Sequence, residues 1–277
     1  MTSYNREKYI AEAIQSVLSS TFKNFELIIV DDCSFDNTPE IIKQYEQIDS
    51  RVKVYFNSKN LGDYANRNMA ASYAQGKYLM HLDSDDKTFD FSFDYCVKEM
   101  EKDENVDFGI LCFIPEMFGK ILTPNKSIQI HFFRSQFLTI GPGGTIIKKT
   151  FFQEIGMYPE KYGPANDMYF NLKAASNGKI KCLGKEFLFY RRHKGQESNN
   201  NFKYLYNNYL YMKDALLELP MGLDHQESAF LQKKNKRRFV VNLFIFFLRT
   251  WDLKRTKIAV KNAEFSFKDG LIGLFHI

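Results

Sequence analysis

An α/β fold, with a mostly parallel sheet flanked by helices and a helical extension at its C-terminal end, is predicted by three features of this 277-residue chain. Short apolar runs alternate with stretches of helical periodicity through the first third. Two of these runs stop at acidic clusters, Leu27-Ile28-Ile29-Val30-Asp31-Asp32 and Tyr78-Leu79-Met80-His81-Leu82-Asp83-Ser84-Asp85-Asp86. Beyond about residue 200 the alternation gives way to aromatic and basic helical segments. Strand and helix in alternation imply a parallel sheet with right-handed crossovers. Ligands of such sheets bind outside the carboxyl ends of the strands, where both acidic clusters fall. Five carboxylates gathered there repel one another unless a positive group joins them. A divalent cation answers that need, because hard cations take oxygen ligands.

The elements follow in order. Asn5 offers a cap for a helix reaching about Ser20, with Ile10, Ala13, Ile14, Val17 and Leu18 at helical spacing. A strand is expected from Glu26 to Val30. Asn37-Thr38-Pro39-Glu40 supplies a cap, a first-turn proline and an early acid to a helix carrying Ile41, Ile42, Tyr45 and Ile48. Val52 to Phe56 reads as a strand, Tyr64 to Ala74 as a helix, and Lys77 to Leu82 as the strand that delivers the second cluster. Only Met1 to Tyr4 stand where a doubly wound fold places its opening strand, so that strand is expected to be truncated. Either the chain starts upstream or another segment fills the gap. From Phe89 to Arg134 a helical stretch (Phe93 to Lys102) adjoins apolar runs such as Phe108 to Ile114. Gly141-Pro142-Gly143-Gly144 forms a loop before Thr145. Asn166-Asp167 opens a helix bearing Met168, Leu172 and Ala175, where an acid is also a favourable partner for the helix dipole.

Composition narrows the class. With 44% hydrophobic residues the chain is globular, and its formal charge of +5 is concentrated in the tail, as in Lys233-Lys234-Asn235-Lys236-Arg237-Arg238. Its four cysteines lack metal-ligand or disulfide-framework spacing, and no secretory signal precedes them. Reduced thiols in the cytoplasm, with no zinc site, are expected. No nucleic-acid-binding motif accompanies the basic residues.

Six signatures occur in order: Thr2-Ser3-Tyr4-Asn5; Val30-Asp31-Asp32-Cys33-Ser34 with Asp36-Asn37-Thr38; Asn60-Leu61-Gly62 with Ala65-Asn66-Arg67-Asn68; Asp83-Ser84-Asp85-Asp86; Asn166-Asp167; and Tyr190-Arg191-Arg192-His193. Together, over Thr2 to Ser198, they resemble a family 2 glycosyltransferase of the GT-A fold. The resemblance implies an inverting, metal-dependent transfer from a nucleotide sugar, a uridine diphosphate sugar being the expected donor, to a glycan or lipid-linked acceptor in surface polysaccharide synthesis. It also implies roles. Asp32 would accept hydrogen bonds from the base while Asp31 orients the turn, with Tyr4 and Arg67 as neighbours in the donor site. Asp83 would reach the ribose and Asp85 would bind Mn2+ or Mg2+, with Asp83 and His193 as further candidate ligands and Asp86 alongside. Arg191 and Arg192 would hold phosphate, Asp167 would be the catalytic base, and Gly143, Gly144 and Thr145 would line the acceptor side. The usual Glu-Asp pair is Asn166-Asp167 here, which removes one charge beside the base. His81, alternating with Met80 and Leu82, reads as structural.

These signatures divide the chain into a catalytic domain, 1–200, with a nucleotide-sugar half to about residue 88 and an acceptor half from 89, followed by the extension 201–277. In the extension the run Phe239 to Leu248 is too short to span a bilayer. It suits either an anionic membrane surface or packing, on the catalytic domain or in a homodimer. Two other classes are open at this point. A phosphorelay receiver shares the strand-end aspartates but starts with the Val-Asp-Asp strand. A non-catalytic binding protein would keep the fold without the chemistry.

Overall fold

The computed structural model describes residues 1–193 and 201–275. Its first half runs β1 (Thr2–Ser3), α1 (Ile10–Leu18), β2 (Leu27–Asp31), α2 (Thr38–Ile48), β3 (Val52–Phe56), α3 (Asp63–Tyr73), β4 (Tyr78–Leu79) and β5 (Lys87–Thr88). Strands β1, β2 and β3 are parallel, in that order. The uninterrupted apolar run of β2 is explained by burial on both faces. Leu27 and Ile29 pack with Ile10, Ala13, Ile14 and Val17 of α1, and Ile28 and Val30 pack with Ala70 of α3.

The opening strand is present as the two residues of β1. Thr2 pairs with Val30 and Ser3 with Asp31 on one side, and Thr2 bridges Asp83 on the other, so β1 joins the two acidic strand ends. Next to it, a cleft of about 580 Å³ lined by Leu27, Ile28, Ala74, Tyr78 and Leu79 separates β2 from β4. Two expected boundaries move. The first helix begins at Ile10 because Asn5 adopts a left-handed backbone (φ 52°) and its side chain accepts from Phe35 N, tying it to the turn after β2. Pairing in β4 ends at Leu79, four residues before the acidic turn.

The second half contains α4 (Ser92–Glu101), β6 (Phe108–Leu111), β7 (Ile121–Leu122), α5 (Pro124–Phe133), β8 (Thr145–Lys148), α6 (Lys149–Glu154), α7 (Asn166–Asn177), β9 (Ile180–Leu183) and β10 (Leu188–Phe189). Its sheet is mixed, in the order β4-β8-β6-β9-β7, with β8 antiparallel to both neighbours and β6 parallel to β9. At the centre, Phe108 and Ile110 face the core shared with Phe170 of α7, and Leu111 faces Met100 of α4 and Ile146 of β8. Gly109 lies on the latter face, where an added Cβ would sit 2.7 Å from Ile146 Cγ2 and 3.1 Å from Met100 Sδ. Gly109→Ala is therefore expected to cost about 1–3 kcal/mol by overpacking, seen as a lower urea midpoint with unchanged m-value.

The extension comprises α8 (Asn201–Glu218), α9 (His225–Thr250), α10 (Leu253–Asn262) and α11 (Phe267–Phe275). Of the stretch Ser198-Asn199-Asn200-Asn201, after which the composition change is expected, all but Asn201 lies outside the described residues. Helix α8 packs into the acceptor-half core through Leu210, Tyr211, Ala215 and Leu216. Tyr162 Oη and Lys161 Nζ both donate to its Asp214, and Tyr169 Oη donates to Glu218. Helix α9 starts at a capping box, Asp224 with Glu227. It rests on α8 through Asn235, whose Nδ2 donates to Tyr209 O, and Phe239. No helix of the described residues is long and apolar enough to cross a membrane.

Candidate active site

The first acidic cluster builds its own loop. Asp31 accepts from Ser3 Oγ, from Ser34 Oγ and from Ser34 N, which closes the turn after β2. Asp32 is buried and accepts from Asn57 Nδ2, Leu61 N and Gly62 N at 2.8, 2.8 and 2.9 Å. Gly62 is needed there because its φ is +90°. Three donors leave Asp32 one lone-pair direction on Oδ2 for a further N–H. Flanking this loop, Tyr4 meets Phe35 edge to face at 6.2 Å, and both rings are exposed. Phe35 is an aromatic that the motifs did not single out.

The second cluster is gathered by a tight turn in which Asp86 N donates to Asp83 O. One oxygen each of Asp83, Asp85 and Asp86 lies within 4.8 Å of the others. Immediately after it, β5 pairs antiparallel with β10, Phe189 opposite Lys87, and this carries the chain at Tyr190 to His193 over the turn. Arg191 N donates to Asp86 Oδ1, Arg191 Nε donates to Asp85 O, and Arg191 Nη2 pairs with Glu12. His193 Nε2 lies 2.9 Å from Asp85 Oδ2, with its ring 4.7 Å from that of Tyr9. The structure thus brings Arg191 and His193 to the acidic turn, whereas Arg192 is exposed to solvent. Arg6, not anticipated from the motifs, places Nε 3.0 Å from Asp85 Oδ2. Its position directly after Tyr4-Asn5 was the available signal. Burial, reinforced by Asp83 and Asp85, pushes the Asp86 carboxyl up to about 7. Three clustered carboxylates, with an imidazole nitrogen beside Asp85, form a donor set suited to Mn2+ or Mg2+.

Arg67 connects this turn to the rest of the site. It projects from α3 and is buried, and Nη2 pairs with Asp83 and, one helical turn back, Asp63. Burial opposes its charge, but Asp63 and Asp83 outweigh that and hold it more firmly protonated than an ordinary arginine. Among the described residues its buried Nε and Nη1 have no hydrogen-bond partner. Buried N–H groups of a guanidinium are costly to leave unpaired, so holding this positive charge beside the acidic turn lowers stability.

Asp167 sits in the first turn of α7, buried, with Oδ1 accepting from Met168 N at 2.7 Å. Burial pushes its carboxyl up to about 7, against the pull of the Met168 N–H and of Arg67, and Asp63 adds to the rise. Asn166 accepts from Tyr162 N and so fixes the start of the helix. The loop before β8 lies close by, since a Cβ on Gly141 would be 3.8 Å from Asp167 Oδ2. Within that loop Thr145 Oγ1 donates to Pro142 O. Gly143 and Gly144 make room for protein side chains: added Cβ atoms would meet Leu188 at 2.8 Å and Ile140 at 2.3 Å. His81 is buried against Phe152 and Tyr158, and burial together with Arg67 holds it neutral.

Comparisons with known proteins bear on the family and the fold. The model of the family described as Glycosyl transferase family 2 matches residues 1–156. Bacillus subtilis (strain 168) TuaG, named for teichuronic acid biosynthesis, is 48% identical over 85 residues, 31% of this chain and 34% of its own, so the match spans about a third of that relative. An uncharacterized glycosyltransferase of Methanocaldococcus jannaschii is 35% identical over 199 residues, 68% of this chain and 67% of its own. Among solved structures, S. aureus TarS 1-349 in complex with UDP-GlcNAc superposes with a TM-score of 0.73 at 22% identity, covering 94% of this chain and 77% of that one. The mannosyltransferase PcManGT from Pyrobaculum calidifontis, in complex with GDP-Man and Mn2+, gives a TM-score of 0.64 at 12% identity, covering 95% and 78%.

Proposed function

Because this chain belongs to glycosyl transferase family 2, we propose that it transfers a sugar, with inversion, from a uridine diphosphate donor to a hydroxyl of a glycan or lipid-linked acceptor in cell-surface polysaccharide synthesis. The observation that carries this reading is the cluster of Asp83, Asp85 and Asp86, held by buried Arg67 through Asp83, with buried Asp167 in the first turn of α7. The TarS complexes with UDP and UDP-GlcNAc support the choice of uridine.

The residues divide the work. Asp32, with one acceptor direction left, receives a base N–H, and Tyr4 with Phe35 offers an aromatic edge to the base. Asp85 and Asp83, with His193, would hold a Mn2+ or Mg2+ ion that neutralises charge on the departing diphosphate. Arg67, paired with Asp83, sets a fixed positive charge beside the acidic turn, where it favours a negatively charged donor. Arg191 keeps the segment after β10 over the acidic turn, and exposed Arg192 lies within the same segment as a further cation for phosphate. Asp167 accepts the proton of the acceptor hydroxyl. Its carboxyl titrates near neutrality, which suits a general base at physiological pH. A single base acting on the acceptor hydroxyl implies direct displacement, hence inversion at the anomeric carbon. The receiver reading fails on family membership, and the non-catalytic reading predicts no turnover. Incubation with a panel of UDP-sugars and Mn2+ is expected to release UDP from at least one, with NMR detecting an inverted product. Absence of release from every donor by a folded, UDP-binding protein would favour the non-catalytic reading.

A further inference from the structure

Helix α9 carries more apolar surface than its packing uses. Leu231, Asn235 and Phe239 are buried, and Phe246 meets Phe202 at 5.5 Å, so one face is anchored. On the outward face Val241, Phe244, Ile245 and Leu248 recur at i, i+3, i+4 and i+7, the spacing of a second amphipathic stripe, and are 40–60% exposed. The stripe continues past the helix end into Trp251 and Leu253, 73% and 62% exposed, where Trp251 caps α9 in a left-handed conformation. Apolar side chains contiguous over a helix face and the following turn mark an interaction surface.

Charge identifies the partner. Residues 225–275 contain eleven Lys and Arg against four Asp and Glu, whereas the whole chain has 38 against 33, so the catalytic part is slightly acidic and the excess of positive charge belongs to this segment. Arg249, Lys254 and Lys257 surround the apolar turn and form no ion pair among the described residues. Two copies meeting through this face would bring these cations together at a cost. A soluble polyanion would use the cations and leave the apolar stripe in water. We propose that the outward face of α9 and the α9–α10 turn dock on an anionic lipid bilayer surface. Apolar side chains enter the interface and the flanking Lys and Arg contact headgroups, without spanning the bilayer.

The only tryptophan of the chain is Trp251, so intrinsic fluorescence reads the contact directly. With vesicles of phosphatidylcholine and phosphatidylglycerol at low ionic strength, the emission is expected to shift to the blue and to become shielded from acrylamide. With phosphatidylcholine alone, or at high salt, it stays unshifted. The double variant Phe244→Ser, Leu248→Ser, confined to exposed positions and retaining Trp251, is expected to lose at least about tenfold in vesicle affinity while UDP release from a donor is unchanged. Three results would overturn the proposal: emission unaltered by anionic vesicles, a lipid-free dimer by light scattering with Trp251 already shielded, or equal shielding by a soluble polyphosphate. Because UDP release is measured separately, any of these leaves the catalytic reading standing.

Discussion

Asp85→Ala is expected to remove Mn2+-dependent binding of UDP while the protein remains folded. Asp85 is held from both its side chain and its backbone. Its Oδ2 is shared by Arg6 and His193, and its backbone carbonyl accepts from Arg191. Outer partners of metal ligands are themselves worth about 10–100-fold in metal affinity, so loss of a ligand should weaken metal-dependent nucleotide binding by at least about 100-fold. Folding is expected to survive because Asp31 and Asp32 hold the neighbouring loops independently, and because removing one of three clustered carboxylates relieves repulsion. Calorimetric titration with UDP and Mn2+ checks the binding, and thermal unfolding checks the fold. Wild-type affinity in this variant would take the metal away from Asp85.

Asp167→Asn is expected to lower the transfer rate by about 10²–10⁴-fold, to leave UDP binding intact and to make the protein more stable at pH 8. The sign of the stability change follows from linkage. A carboxyl raised by burial from an ordinary 3.8 to about 7 binds a proton in the folded state that the unfolded chain has already lost. Wild-type stability therefore falls as pH rises from about 4 to about 7 and stays lowered above that. Neutral Asn escapes the penalty, which is at most roughly 4 kcal/mol for a displacement of this size. The accompanying rate prediction is that wild-type kcat/KM declines below pH 7 as Asp167 takes up its proton, and that the residual activity of the variant lacks this limb. A destabilised variant with normal pH dependence would make Asp167 a structural acid.

The nucleotide half of this fold was readable because its chemistry is local. The β2 run is apolar on both faces and ends in Asp31-Asp32, and the Asp83 to Asp86 turn follows its strand directly. What escaped depends on contacts distant in sequence. The β6–β8 pairing joins Phe108 to Ile147, and no periodicity announces that β8 enters antiparallel. Asn5 reads as a helix cap, yet it bonds to Phe35 thirty residues away and takes a left-handed backbone. The Arg67 ion pair with Asp63 follows from helical spacing, but its approach to Asp83 requires α3 to cross the sheet end. The run Phe239 to Leu248 looked like a single apolar block. At 3.6 residues per turn it divides into a face packed on α8 and a face turned to solvent.

The two acidic turns and Arg67 are expected to form a metal-assisted donor site. Calorimetric titration of the wild-type chain with UDP, in Mn2+ and then in EDTA, tests it most directly. Saturable one-to-one binding in Mn2+ that weakens by at least about 100-fold in EDTA is the predicted result. Equal binding in both, or no binding by the folded protein, would contradict it.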